Sequence, residues 1–264
     1  MVSKPESSPI SGSIDGPSLR LRWSEAPWDT AVFGFPVLQI ERIEVLDSGA
    51  AAAMGGFNLM RDRIGCGLVS CRLPHQCLTE SMLLEDFGFR FIEMIYQPIL
   101  EDLRRSDIDG YQGLTVSEGG AQDLPEVLEA AGSAFGNERI HMDPCLSSAL
   151  GDLRYQNWVR SSVSHPSQRL QVLRDGDTFV AFFVTELLAD GTFYWHLNGV
   201  APALQGLGYG VRAWKAMLFH ARAEGASRVR SSIVARNHRV LNLYARLGFR
   251  FPPPQMTFHW VRGG

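Results

Sequence analysis

"VAPALQGLGYG" (Val200–Gly210) stands between a run that reads as strand and a run that reads as helix. Gln205, Gly206, Gly208 and Gly210 fall at that junction. Glycines there let the backbone turn tightly and bring successive N–H groups close to a ligand, while the helix N-terminus adds partial positive charge. Such a loop suits a pyrophosphate. It lacks the Lys-Ser/Thr of a Walker A loop and the spacing of G-x-G-x-x-G. A purely structural tight turn would use the same glycines, so the surroundings must decide.

Just upstream, "RLQVLRDGDTFVAFFVTELLADGTFYWHLNGV" predicts three strands joined by the hairpin signals "DGD" and "ADG". Before them, "LTVSEG" reads as a strand and "DLPEVLEAAGSAF" as a helix with Asp123 as N-cap and Pro125 in its first turn. "LSSALGDLRYQNWVRSSV" is a second helix. Downstream come an amphipathic helix over Tyr209–Glu224, a strand "RVRSSIV", a helix over His238–Leu247, and strands near "GFRF" and "QMTFHWV".

The "GFRF" at Gly248–Phe251 also occurs at Gly88–Phe91. Sliding residues 65–91 onto 225–251 needs no gap and matches Gly65 with Gly225, Val69 with Val229 and Leu83 with Leu243. Residues 30–100 read as a βαβαβ-like unit: strand over Ala31–Val45, alanine-rich helix, strand "GLVSCRL", helix "TESMLLEDF" with Thr79 as N-cap and Gly88 as C-cap, and strand "FRFIEMIYQPIL". Strand, helix and strand recur in order, which points to a duplication. The expected division is a disordered tail (1–19), a first lobe (20–100), a linker (101–112) and a second domain (113–264). The fold class is α/β with a mixed sheet.

Composition excludes several classes. Hydrophobic residues make up 45% and charged residues 20%, as in an ordinary soluble globular protein. A net charge of −3 gives no electrostatic footprint for nucleic acid. No apolar run approaches the roughly 18–20 residues of a membrane helix, and no signal-peptide core follows the N-terminus. Cys66, Cys71, Cys77 and Cys145 include no C-x-x-C pair, so reduced thiols in a cytoplasmic setting are expected, and no metal site from "CRLPHQC" with His75.

"QGLGYG" resembles the Q/R-x-x-G-x-G/A acetyl-CoA loop of the GCN5-related N-acetyltransferases (GNAT). "NHRVLNLYARLGF", with Asn237, Tyr244, Gly248 and Phe249, is similar to that family's N-x-x-A/V-x-x-x-Y-x-x-x-G-F segment. Both motifs agree in order and separation, over roughly residues 113–264. The resemblance implies a GNAT fold in the C-terminal half and acetyl-CoA as donor co-substrate. In the first copy Val45, Ser48 and Ala50 replace Gln205, Gly208 and Gly210, Cys77 replaces Asn237, and Leu84 replaces Tyr244. That half therefore reads as a truncated, non-catalytic GNAT-like lobe. The layout, with "PWDTAVFGF" and "GSAFGNERIHMDP", more loosely resembles the TDP-fucosamine acetyltransferases, which implies a nucleotide-linked amino sugar as acceptor.

By this resemblance the cofactor contacts are Leu197, Gly199, Val200, Gln205, Gly206, Leu207, Gly208, Tyr209, Gly210, Asn237 and Tyr244. Tyr244 is the general acid: a phenol is protonated at neutral pH and can supply the departing thiolate. A tyrosine packed in the core would satisfy the same pattern. His196 is the candidate base, sharing a strand face with Tyr194 and Asn198 by alternation. Glu186 or a water chain are alternatives. Arg139, His141, Asp143, Tyr155 and Trp158 are candidates for the acceptor pocket. Another small amine, a protein N-terminus, or a CoA-binding module without catalysis are the other readings, and a homodimer is left open.

Overall fold

Alternating and continuous apolar runs set the strands of this computed structural model, which describes residues 10–103 and 113–264. In chain order the elements are β1 (Ser11–Asp15), β2 (Leu19–Glu25), α1 (Pro27–Phe33), β3 (Val37–Val45), α2 (Ala50–Arg63), β4 (Leu68–Pro74), α3 (Leu78–Asp86), β5 (Arg90–Tyr96) and β6 (Ile99–Leu100). There follow β7 (Thr115–Glu118), α4 (Leu124–Ala134), α5 (Arg139–Met142), α6 (Ser148–Ser162), β8 (Gln168–Asp175), β9 (Thr178–Leu187) and β10 (Thr192–Val200). The chain ends with α7 (Tyr209–Ala223), β11 (Arg228–Ser231), β12 (Ile233–Val234), α8 (His238–Arg246) and β13 (Gln255–Val261).

Two compact units emerge. Among the described residues, the first holds 10–93, 143–146 and 255–264; the second holds 94–103, 113–142 and 147–254. In the first, β1, β2 and β3 form an antiparallel run, β3 pairs parallel with β4, and β13 pairs antiparallel along all of β4. Its core gathers Leu19, Leu21, Leu38, Met54, Phe57, Val69, Leu84, Phe89 and Phe258. Residues 255–264, read from sequence as part of the second domain, thus belong to the first unit, because β13 takes the open edge of β4.

In the second unit, β7 to β10 form an antiparallel run and β10 pairs parallel with β11. Every residue of β9 from Phe179 to Thr185 is buried, because helices cover both faces. Phe182 and Val184 pack with α4 and α6, while Ala181 and Phe183 pack with α7 and α8. Covering both faces is what a strand without polar alternation requires.

Several expectations are corrected. Residues 11–15 of the expected tail form β1, paired with β2; residues 1–9 lie outside the described residues, as do 104–112 of the expected linker. Ala31–Phe33 close a helix, since Pro27 and Asp29 favour a first turn. Cys77, not Thr79, caps α3. "RVRSSIV" is broken into β11 and β12, and the second "GFRF" contributes a single bridge, Arg250 to Ile99.

The internal repeat has a geometric counterpart. α3 and α8, 160 residues apart, share both boundaries after shifting. Each is preceded by a left-handed glycine at the end of the previous helix and followed by another: Gly65 and Gly88 (φ 68° and 81°), Gly225 and Gly248 (φ 82° and 83°). The parallel ladders stop at equivalent pairs, Ile40 with Cys71 and Trp195 with Ser231. A bulge follows at once in both strands, at Glu41 and at His196.

Candidate active site

The site grows from the break in β11 and β12. β10 and β11 run parallel only as far as Trp195 and Ser231. Beyond them Ile233 and Val234 pair instead with Tyr96 and Ile95 of β5. The edge of β10 from His196 to Val200 is then left without a strand on that side among the described residues. Ser231 Oγ donates to the Trp195 carbonyl (3.0 Å), and Tyr194 and Ser232 hydroxyls meet at 2.9 Å, so the parting is pinned on both strands.

The bulge decides which side chains face which way. It leaves His196 unmatched, so Trp195 lies opposite Thr185 and Leu197 opposite Val184. Tyr194 and His196 face α6, with ring centroids 4.7 Å apart and Trp158 6.0 Å from His196. Asn198, opposite Phe183, turns to the α7/α8 face. The expectation that Tyr194, His196 and Asn198 share one face fails for Asn198, because a bulge breaks period-two alternation.

Tyr244 sits under this opening on α8, 1% exposed, packed against Trp195, Trp214 and Phe249. Burial pushes its phenol up to about 12, opposed by the nearby Ser231, Trp214 and Asn198 side chains. Its hydroxyl therefore lies where β10 and β11 separate, and stays protonated through neutral pH.

The loop beyond β10 contains a 3-10 turn over Pro202–Leu204. Gly206 and Gly208 have φ of 83° and 87°, conformations that favour glycine. Gly208 is the N-cap of α7, which has no side-chain cap. Among the described residues, the backbone N–H groups of Gly206, Gly208, Tyr209 and Gly210 meet no acceptor. Gln205 Nε2 donates to the Val200 carbonyl (3.2 Å), tying loop to strand end. Tyr209 Oη and Arg212 Nη1 donate to Asp175 Oδ2 (3.4 and 2.8 Å), fixing α7 beside β8. Leu207 is exposed, and Gly199 lies too close to Phe182 and Ala134 for any side chain. Asn237 caps α8, its Oδ1 accepting from Val240 N–H (3.3 Å). Arg239, which sequence reasoning passed over, lies exposed beside Gly206.

His196 and Glu186 are bonded, Nε2 to Oε2 at 2.9 Å. Burial lowers the imidazole's pKa, opposed by the Glu186 carboxylate. Glu186 is lowered chiefly by a hydrogen bond from Ser167, with His196 contributing after an opposing effect of burial. Trp158 Nε1 donates to Gln168 Oε1 (3.1 Å), and Arg154 lies over the Tyr155 and Trp158 rings at 5.3 and 5.6 Å.

The other expected acceptor residues scatter. His141 Nε2 is bonded to Asp152 Oδ1 (2.9 Å) and packs on Gly151. Tyr155 is buried, stacked on Phe135, with its hydroxyl donating to Glu138 (3.5 Å). Arg139 is half-buried on α5. Asp143 folds with the first unit, where its Oδ2 accepts from His259 Nδ1 (2.8 Å) and its Oδ1 from Cys145 N–H (2.9 Å). Burial raises that carboxyl, but those hydrogen bonds bring its pKa below the ordinary value. Among the described residues no group of three or more His, Cys, Asp or Glu could hold a metal ion, and no helix is long and apolar enough to cross a membrane.

Residues 136–249 match the model of the acetyltransferase (GNAT) family. No curated protein matches the chain. Among solved structures, a GCN5-related N-acetyltransferase from Sphaerobacter thermophilus is similar with a TM-score of 0.63 at 15% identity, covering 93% of this chain and 81% of that one. A tandem GNAT protein from the clavulanic acid biosynthesis pathway gives 0.54 at 12% identity, covering 94% and 80%. A glucosamine N-acetyltransferase region of a fungal multi-domain β-N-acetylglucosaminidase gives 0.63 at 12%, covering 92% of this chain and 31% of that one. The mixed α/β fold is that of GNAT proteins.

Proposed function

We propose that the second unit is an acetyltransferase that moves the acetyl group of acetyl-CoA to the primary amine of a small molecule, in the cytoplasm. The observation that carries this reading is the coincidence of three features at one strand parting: an unpaired β10 edge, unpartnered loop amides, and the Tyr244 hydroxyl between them. The edge at Leu197–Val200 would pair with the pantetheine amides. The amides of Gly206, Gly208, Tyr209 and Gly210, with Gln205 holding the loop to Val200, would receive the pyrophosphate. Asn237 would serve by fixing the start of α8, and with it Tyr244.

Chemistry then needs a neutral amine, a thioester held for attack, and a proton for the thiolate. His196 is the base in this reading, its lowered pKa keeping it neutral near pH 7. Tyr244 gives its proton to sulfur as the C–S bond breaks. Direct attack leaves no acyl-enzyme to be explained.

An amino sugar carried on a nucleotide is the acceptor we favour. Half-exposed Trp158 beside His196, with Arg154 over its ring, offers a stacking face and a cation for such a ligand. The glucosamine-acetylating fungal neighbour shares the fold, and its substrate stands for that protein. Residues 20–100 are read as a non-catalytic lobe.

Free-thiol release from acetyl-CoA is the test, run with a nucleotide amino sugar, a free amino sugar, a polyamine and a peptide N-terminus. Turnover with the nucleotide sugar alone supports the full reading. Turnover confined to a polyamine or a peptide would keep the chemistry and replace the acceptor. Acetyl-CoA binding without thiol release would make the unit a binding module.

A further inference from the structure

We propose that Glu186 is the positioning residue of the acceptor half-site: it fixes His196 as the Nε2–H tautomer and leaves Nδ1 as the atom that takes the amine's proton. The inference rests on the acetyl-transfer reading and deepens it. Glu186 Oε2 lies 2.9 Å from His196 Nε2. A carboxylate can only accept, so the nitrogen facing it must carry the hydrogen. Nδ1 is then the lone-pair nitrogen, and among the described residues it meets no donor or acceptor.

The pair is built in, since the two groups stand on neighbouring strands, with Glu186 opposite Tyr194 in register. The bulge at His196 swings the ring onto the α6 face, where Glu186 can reach it. Ser167, on the loop after α6, is the chief influence lowering the Glu186 pKa. That loop is itself folded around His165, whose Nδ1 accepts from Ser167 and Gln168 N–H. The titratable and charged groups facing His196 are Glu186 from β9, Tyr194 from its own strand, His165 from the loop, and Arg154 beyond Trp158 on α6.

The step balances simply. The acceptor ammonium gives one proton to Nδ1, forming imidazolium stabilised by Glu186 and a neutral amine. The amine nitrogen bonds to the thioester carbonyl carbon, and the C–S bond breaks. The thiolate takes the Tyr244 proton, the phenolate recovers one from the new amide nitrogen, and His196 releases the first proton to water. One proton appears per amide formed.

The test joins nitrogen-15 NMR of the imidazole with kinetics of Glu186→Gln. In the wild-type protein above its titration, His196 should show the Nε2–H tautomer. Removing the carboxylate's charge should lower the pKa of His196, so the acid limb of kcat/KM moves to lower pH. The plateau should fall about 10–100-fold, the scale for losing an outer-shell partner. An Nδ1–H tautomer in the wild type would overturn the assignment, as would an acid limb that stays in place in a folded Glu186→Gln protein. Should no amine be acetylated, the NMR titration still decides the pair, which separates this inference from the reading beneath it. The wild-type spectrum also decides it should Glu186→Gln not fold.

Discussion

At the strand parting of the second unit stand Asn198, Ser231 and Tyr244; at the equivalent places in the first stand Ile43, Cys71 and Leu84. All three of the latter belong to the hydrophobic core of their unit. The scaffold is the same, down to the bulge after the last parallel pair, yet one opening is polar and the other is filled with hydrocarbon and a thiol. The loops differ in the same sense. On the way to α7 the N–H groups of Gly206 and Gly208 meet no acceptor among the described residues, while on the way to α2 those of Leu46, Asp47 and Gly49 all do. There Leu46 and Asp47 N–H donate to the Ser18 carbonyl (2.9 and 3.4 Å), Gly49 N–H to Asp47 Oδ1 (2.7 Å), and Val45 N–H to Glu80 Oε1 (3.1 Å). A splayed strand pair is thus only an opportunity. Whether it binds depends on whether the chain satisfies its own amides first.

The largest expected effect tests the polar side of that contrast. Tyr244→Phe removes a hydroxyl and keeps the ring among Trp195, Trp214 and Phe249. We expect kcat to fall about 10²–10⁴-fold with acetyl-CoA affinity nearly unchanged. Wild-type turnover, with chemistry shown to limit the rate, would make Tyr244 a core residue like Leu84.

Gly208→Val comes next. No atom lies within 4 Å of a Cβ there, so the cost is the backbone: φ is 87°, which a β-branched residue resists. Acetyl-CoA binding should weaken by about 2 kcal/mol, or roughly 30-fold. Calorimetry giving an unchanged Kd for the folded variant would remove the loop from the site.

A smaller effect belongs to the first unit. Glu80→Ala strips the Val45 N–H of its acceptor and should cost about 1 kcal/mol in denaturant unfolding. It should create no second cofactor site, because Ile43, Cys71 and Leu84 still fill the gap. Titration should give one acetyl-CoA per chain in both proteins; two in the variant would show that Glu80 alone closed the site.

The smallest is a pH effect on stability. Asp143 has a folded pKa below its ordinary value of roughly 3.9, so its contribution is present above that value and lost as pH falls through the folded one. Asp143→Asn should therefore lose stability at neutral pH, and its unfolding curve should flatten between about pH 4 and 2 relative to wild type. Parallel curves would mean the His259 bond contributes nothing.

Local signals carried the reading of sequence far where punctuation was strong. Gly88 marked the end of α3 correctly, and "DGD" and "ADG" marked the hairpins around β9. "LRLRW" (residues 19–23) alternates apolar and charged residues, a period-two signal that could have identified β2 and was passed over. Other features had no local signature. The bulge at His196 exists only as a mismatch with β9, so the side-chain direction of Asn198 could not follow from its own strand. Asp143 reads as a polar loop residue because its partner, His259, is remote in sequence. The Glu186–His196 pair is partly legible, since both residues had been named, but for alternative duties.

The strand β13 has a consequence for biosynthesis. It lines up with β4 along its whole length, pairing Val261 with Leu68 and Gln255 with Pro74. A ribosome makes β4 early and β13 late, with all of the second unit translated between. During that interval the edge of β4 has no β13 to receive its hydrogen bonds, and unpaired edges invite association with other chains. A truncation before Gln255 would leave the β4 edge without β13 in every molecule.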